Sequence, residues 1–364
     1  MKVLHMTSAL DGGGVDSILF NYCTRMMPEV QSDFLVSSDY EGVLERPLLD
    51  CGCKIFHIEK IRGQLFVRQQ HIKKILETGG YDIVHDHSGY KSFFLLELAK
   101  RLGIQCRIAH SHIAFVPESI KRSIERKFFT YASKKVATNL FACGVDAALW
   151  MWGRKCFNDG KIKIMPNGID TKEYRYSDFY RQKLRNDLGI GDKFVIGCVA
   201  RLTEQKNHIF LLRIFRKIKE NVPDAILLLI GQGELFDEIK KETEELNIYD
   251  SVRFLGVRTD VAQLLSVMDV FVLTSKYEGL PVTLVEAQAN GIPIVTSDSI
   301  TEEIKINSNY KMISLNEPEL RWAQTIIDSR NNRISNVINL IKKYDIDILS
   351  VKQKQWYMKQ VANF

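Results

Sequence analysis

No apolar run in the 364-residue chain approaches the roughly 18 to 20 residues that a membrane-spanning helix needs. Its seven cysteines, Cys23, Cys51, Cys53, Cys106, Cys143, Cys156 and Cys198, include no CxxC pair. An odd, scattered set argues against both a disulfide framework and a structural zinc site, so the cysteines read as small core residues. Low-complexity tracts and short-period repeats are missing, which removes linker and solenoid architectures. Nothing at the start resembles a signal peptide: Met1-Lys2-Val3-Leu4-His5-Met6 runs straight into a strand pattern, and the expected location is the cytoplasm. Excess charge is small. A formal +6 favours anionic partners weakly and, on charge alone, leaves nucleotide diphosphates, acidic lipids and nucleic acid all open. What is present, 45% hydrophobic and 26% charged residues, is the composition of a globular chain with room for two domains.

Short apolar runs alternate with helix-length amphipathic segments from end to end, the signature of βαβ units and a parallel sheet, so the fold class is α/β. In the first half strands are expected at 2–6, 33–37, 54–57, 82–85, 105–110 and 139–143. Helices are expected at 15–26, 66–77, 91–101 and 119–133. Proline, asparagine and glycine cluster in Lys163-Ile164-Met165-Pro166-Asn167-Gly168-Ile169-Asp170, which marks an inter-domain linker. A second series follows, with strands at 194–200, 225–230, 252–255, 270–274 and 292–296. The domains are expected at 1–165 and 166–349, two similar halves facing a cleft. The tail from about 350 to 364 is a helix candidate whose Trp356 and Tyr357 need something to pack against.

The most informative stretch is Ser275-Lys276-Tyr277-Glu278-Gly279-Leu280-Pro281-Val282-Thr283-Leu284-Val285-Glu286. Glu278 falls in a strand-to-helix loop at the carboxyl edge of the sheet, where open parallel sheets bind ligands, and Gly279 and Pro281 let the backbone turn. Glu286 falls inside the helix against an apolar wall. A carboxylate there needs hydrogen-bond donors, and vicinal hydroxyls are natural ones, although a solvated helix residue is an equal reading. Arg201 and Lys206 bracket the loop after the first strand of the second half, a guanidinium fork and a point charge suited to a diphosphate, although a solvated basic loop is an equal reading. Gly231-Gln232-Gly233 and Gly256-Val257-Arg258 end two further parallel strands on the same rim. Gly12-Gly13-Gly14 follows the first strand and opens a helix, where the backbone can approach an anion or simply turn tightly, and it lacks the GxGxxG spacing of a dinucleotide site. In 119–131, Ile120, Ile124 and Phe128 recur at four-residue spacing among Lys121, Arg122, Arg126 and Lys127. This pattern fits a basic amphipathic helix on an anionic membrane, and equally a core helix with a solvated basic face.

Taken in order and spacing, the triple glycine, the Pro166-Asn167-Gly168-Ile169-Asp170 turn, Arg201 with Lys206, Gly231-Gln232-Gly233 and Glu278-x7-Glu286 resemble the retaining family-four glycosyltransferases. The resemblance covers nearly the whole chain. It implies a GT-B fold of two Rossmann-like domains facing a cleft, the acceptor on the first, a nucleotide-sugar on the second, and a last helix crossing back to the first. Carried over residue by residue, Arg201 and Lys206 hold the diphosphate, and Glu278 contacts donor-sugar hydroxyls beside the amides of Gly279 and Leu280. Glu286 takes the ribose. Val257 and Arg258 lie near the base, Gly231 belongs to the same rim, Gly13 and Gly14 approach the diphosphate, and His112 of Ala109-His110-Ser111-His112 contacts the donor sugar.

The implied reaction needs no metal or other cofactor, because cationic side chains and helix dipoles neutralise the departing nucleotide. The one Asp-x-Asp considered, Asp345-Ile346-Asp347, lies in the tail away from the glycine loops. Retention by front-face attack requires no protein nucleophile, so Glu278 binds and orients. After Ser297 the family pattern is glycine-rich, whereas Ile300-Thr301-Glu302-Glu303-Ile304-Lys305-Ile306 has none, an arrangement similar to enzymes that build bacterial exopolysaccharide and capsule. The implied substrates are a nucleotide-sugar, expected to be a UDP-sugar, and a glycan acceptor on a lipid. Peripheral contact with an anionic membrane follows from such an acceptor, and nucleic acid is not an implied partner. The rival readings are a nucleotide-sugar epimerase or phosphorylase of the same fold, and a non-catalytic nucleotide-sugar-binding protein.

Overall fold

The computed structural model describes residues 1–12, 14–58, 65–112 and 119–362. They form two compact units, Met1–Ile169 with Tyr344–Phe364, and Asp170–Lys343.

The first unit is built on seven parallel strands: β1 (Lys2–Thr7), β2 (Gln31–Val36), β3 (Ile55–His57), β4 (Ile83–Asp86), β5 (Cys106–Ser111), β6 (Asn139–Ala142) and β7 (Ile162–Ile164). Their order across the sheet is β3-β2-β1-β4-β5-β6-β7. The second unit holds β8 (Val195–Val199), β9 (Ile226–Ile230), β10 (Val252–Gly256), β11 (Val270–Leu273), β12 (Ile294–Ser297) and β13 (Tyr310–Ile313), in the order β10-β9-β8-β11-β12-β13. Both sheets therefore run outward from their first strand and reverse beside it, at β1/β4 and at β8/β11. That is the doubly wound topology, whose ligand crevice opens at the carboxyl ends of the strands at the reversal. All five residues of β9, Ile-Leu-Leu-Leu-Ile, are buried, as a strand covered on both faces requires.

Two strands escape the sequence pattern, and both are sheet edges. Strand β7 has three residues and sits in the turn-rich stretch read as linker. Strand β13 carries one buried residue, Tyr310, in four. Edge position alone does not hide a strand, since the edges β3 and β10 are among the expected strands; β7 runs directly into the turn residues, and β13 buries only Tyr310. Among the cysteines, Cys51 is exposed and Cys156 half-buried, and both depart from the expected core role.

The last helix, Ile346–Ala362, belongs to the first unit and packs on the helix Gly14–Met26. Both acids of the tail Asp-x-Asp have structural partners there. Asp345 Oδ1 accepts from the amides of Asp347 and Ile348 at 3.1 and 3.4 Å, capping the helix. Asp347 pairs with Arg25 at 3.0 Å. Tyr357 is fully buried with its hydroxyl 2.6 Å from His85 Nδ1, and the Trp356 ring meets Phe141 at 4.9 Å between centroids.

Candidate functional site

In the second unit, the loops after β8 and β11 flank the reversal point and are sewn together. Lys276 N donates to Gln205 O at 2.8 Å, and the Thr274 hydroxyl reaches Asn207 O at 3.0 Å. Gln205 Nε2 donates to Tyr277 O at 2.8 Å and to Glu278 Oε2 at 3.3 Å. Lys206 Nζ forms an ion pair with Glu278 Oε1, which also accepts from Ser275 Oγ at 2.6 Å. Both side chains of that pair are largely enclosed, at 14% and 7% exposure. Every oxygen of Glu278 is thus engaged, so the carboxylate is an oriented acceptor with a cation held against it.

Arg201 sits at the mouth of the same loop, exposed, and its guanidinium has no ion-pair partner among the described residues. Behind it, Gly231 has φ +133°, and a Cβ there would lie 2.1 Å from Ala200 O. Only glycine lets the β9 loop press this closely on the end of β8. Val257 is exposed just past β10. Arg258 makes a two-point contact with Asp260, 2.7 Å at each nitrogen, so its fork is occupied by a neighbour two residues on.

Pro281 caps the helix Val282–Asn290, which places Glu286 in its second turn with Leu284, Val285 and Ala287 buried around it. Gly279 and Leu280 lie in the loop before the cap, Leu280 buried. Desolvation pushes the Glu286 carboxyl up to about 7, against the opposing hydrogen bond that Tyr174 donates to Oε1 at 2.9 Å. Tyr174 was not legible as a site residue: it lies in irregular chain between the linker and the helix Asp178–Asp187, with no periodicity to mark it. Gln288, two residues further along the helix, meets the glycine-poor stretch after β12. Its side chain bonds Ile304 O at 2.8 Å and the amides of Ile306 and Asn307 at 3.0 Å each, pinning that segment to the helix.

The remaining expected residues belong to the first unit, except that Gly13 lies outside the described residues. Gly14 opens the helix after β1. His112 follows β5 and borders a cavity of about 880 Å³ that Asp86, His87, Arg68, Arg122 and Trp150 also line. Its Nε2 is 2.9 Å from His87 Nδ1, whose partner ring nitrogen is 3.1 Å from His5 Nδ1. Burial holds the imidazoles neutral: His112 is lowered to about 4, His5 to about 3, and His85, His87 and His110 well below the usual range.

On the helix Ile120–Val136 the buried side is Thr130, Ser133 and Val136, while Ile120, Ile124, Phe128 and Tyr131 stand 82%, 64%, 65% and 64% exposed. The apolar stripe therefore faces outward and is not a core contact. Among the described residues, no helix is long and apolar enough to cross a membrane.

Residues 180–326 match the profile of the family described as Glycosyl transferases group 1. The chain is 34% identical over 334 residues to a Bacillus subtilis protein named as glycosyltransferase EpsF, covering 89% of this chain and 86% of that one. It is 28% identical over 311 residues to the UDP-Gal:alpha-D-GlcNAc-diphosphoundecaprenol alpha-1,3-galactosyltransferase of Escherichia coli, covering 80% and 78%. Among solved structures it resembles HepE of Anabaena in complex with UDP-glucose, with a TM-score of 0.81 over the whole of both chains at 19% identity. That likeness establishes the fold as GT-B.

Proposed function

The chain belongs to the group 1 glycosyl transferases, and from that premise we propose that it moves a hexosyl or N-acetylhexosaminyl group from a UDP-sugar to a polysaccharide acceptor on a lipid carrier, with retention at the anomeric carbon. The observation that carries the proposal is the Lys206–Glu278 pair, locked between the two loops at the β8/β11 reversal, with Arg201 exposed at the start of the loop that holds Lys206. Uridine and a lipid diphosphate acceptor are supported by the name of the E. coli relative, and uridine also by the ligand of HepE.

In this reading Arg201 and Lys206 neutralise the diphosphate. Glu278 accepts from sugar hydroxyls beside the Gly279 and Leu280 amides. Glu286 takes the ribose hydroxyls in company with Tyr174, and Gly231 and Val257 line the nucleotide's place. Arg258 would reach the base only by releasing Asp260. For the first unit we propose that it receives the acceptor and that Gly14 and His112 contact the donor. The acceptor hydroxyl attacks the anomeric carbon on the face the nucleotide leaves, the bond to the diphosphate oxygen breaks, and the hydroxyl proton passes to that leaving oxygen. Glu278, with its oxygens held by Lys206, Ser275 and Gln205, positions the sugar and forms no bond to it. The cationic pair supplies the charge that other transferases take from a metal, so the step is proposed to run without one.

The outward stripe of Ile120, Ile124, Phe128 and Tyr131, flanked by Lys121, Arg122, Arg126 and Lys127, supports peripheral contact with an anionic bilayer on the cytoplasmic side. The reading is tested by incubating the protein with a panel of UDP-sugars and lipid-diphosphate acceptors in chelator, then determining product and anomeric configuration. A glycoside of the donor's own configuration is expected. Inversion, a free epimerised donor, or no turnover with any donor would each count against it.

A further inference from the structure

Five of the chain's eight histidines, His5, His85, His87, His110 and His112, gather in the first unit on or just beyond β1, β4 and β5. The i, i+2 spacing of His85/His87 and of His110/His112 keeps each pair on one face of the sheet, and the parallel register brings the strands' rings together. His85 and His87 stack with centroids 4.1 Å apart, and His110 and His112 lie 4.0 Å apart.

Within this column two triads, His5/His85/His87 and His87/His110/His112, each present ligand nitrogens all within 4.8 Å of one another. The inner triad is hydrogen-bonded throughout. His5 contacts His87 at 3.1 Å and the Cys23 sulfur at 3.6 Å, and His85 contacts Tyr357 at 2.6 Å and His110 at 3.1 Å. The outer triad is different. His110 Nε2 is shielded from solvent and has no partner among the described residues, while His87 and His112 border the cavity. A buried ring nitrogen without a partner is the exception that asks for an occupant.

We propose that His87, His110 and His112 form a binding site for a divalent transition-metal ion of the zinc, cobalt or nickel class, held by three imidazoles with a remaining coordination position toward the cavity. Imidazole is the ligand these ions take, and three of them with an open position is a known zinc arrangement. Magnesium and calcium demand oxygen donors and do not suit this set. Little movement is needed. Nitrogens bound tetrahedrally at about 2.0–2.1 Å from zinc lie roughly 3.3–3.4 Å apart, so the 2.9 Å contact of His87 Nδ1 with His112 Nε2 opens by a few tenths of an ångström when a metal replaces the shared proton. The sequence concealed the set because its members come from separated strands and follow neither CxxC nor HExxH spacing. Because His112 is also the proposed donor contact, the ion would border the donor's place, and it is assigned no chemical step in the transfer.

The test uses the full chain, stripped with chelator and titrated with zinc alone by calorimetry, with cobalt absorption as a second readout. One equivalent is expected, with a cobalt spectrum of low-symmetry nitrogen ligation. His110→Ala and His112→Ala should each weaken zinc by about 10- to 100-fold or more, and the exposed His71→Ala should leave it unchanged. His112→Ala lies beyond the strand end and carries the test if the buried His110 variant does not fold. Absence of zinc binding, or zinc binding indifferent to both substitutions, overturns the proposal and leaves the column as a hydrogen-bonded chain only.

Discussion

The Tyr174 hydroxyl donates to Glu286 Oε1 at 2.9 Å, and it is the contact that opposes the desolvation of that carboxyl, whose pKa is pushed up to about 7. A carboxyl raised in the folded state gives stability that is present below its unfolded value of 4.5 and is lost as pH rises through about 7. Glu286→Gln should therefore raise the melting temperature of the ligand-free protein near pH 8 and have little effect near pH 5. The same substitution should weaken UDP at both. Tyr174→Phe should move the midpoint of UDP affinity against pH upward, because it removes the group that favours the charged form. Melting curves and UDP titrations across pH check both.

Lys206 and Glu278 are enclosed as a pair, so removing one leaves a charge without its counterion. Lys206→Ala is expected to cost about 3 kcal/mol in urea unfolding, the scale for breaking a buried ion pair. The double variant Lys206→Met with Glu278→Gln should cost less than the sum of the singles, with a coupling of about 0.5–3 kcal/mol. Strict additivity would show that the pair is not coupled.

Gly231 tests the closeness of the β8 and β9 loops. Gly231→Ala forces a Cβ into Ala200 O and should destabilise by roughly 2–3 kcal/mol or more, and should weaken the donor. Gly160 also has positive φ, +67°, but nothing lies within 4 Å of a Cβ there. Gly160→Ala should cost about 1 kcal/mol and leave donor affinity unchanged.

The outward stripe predicts membrane adsorption. Ile120→Glu, Ile124→Glu and Phe128→Glu together should abolish co-sedimentation with anionic vesicles and leave UDP binding intact. Binding of the unaltered protein should fall with added salt, since part of it is screened attraction to Lys121, Arg122, Arg126 and Lys127. Equal sedimentation of both proteins would contradict this.

Eleven strands were visible as short apolar runs, most plainly the central ones, which a doubly wound sheet buries on both faces, as β9 shows. The edge strands β7 and β13 were not, β7 because it runs into the turn residues taken as the linker and β13 because it buries only Tyr310. Of the candidate site, the carboxyl-edge loops could be read from glycine and charge at strand ends. Side-chain pairings could not. That Lys206 meets Glu278, that Arg258 turns to Asp260, and that Tyr174 supplies Glu286 with a donor are facts of tertiary geometry between positions up to 112 residues apart. The five-histidine column was hidden for the same reason.

The central claim is that the rim of the second unit holds a nucleotide-sugar with divided labour, Glu286 on the ribose and Glu278 on the sugar. Calorimetric titration of UDP and of the turned-over UDP-sugar against the wild-type protein, Glu286→Ala and Glu278→Ala tests it most directly. The prediction is that Glu286→Ala weakens both ligands by a similar factor, whereas Glu278→Ala weakens the UDP-sugar at least tenfold more than UDP, a difference of about 1.4 kcal/mol. Equal loss of both ligands in Glu278→Ala, or unchanged UDP binding in Glu286→Ala, would contradict it.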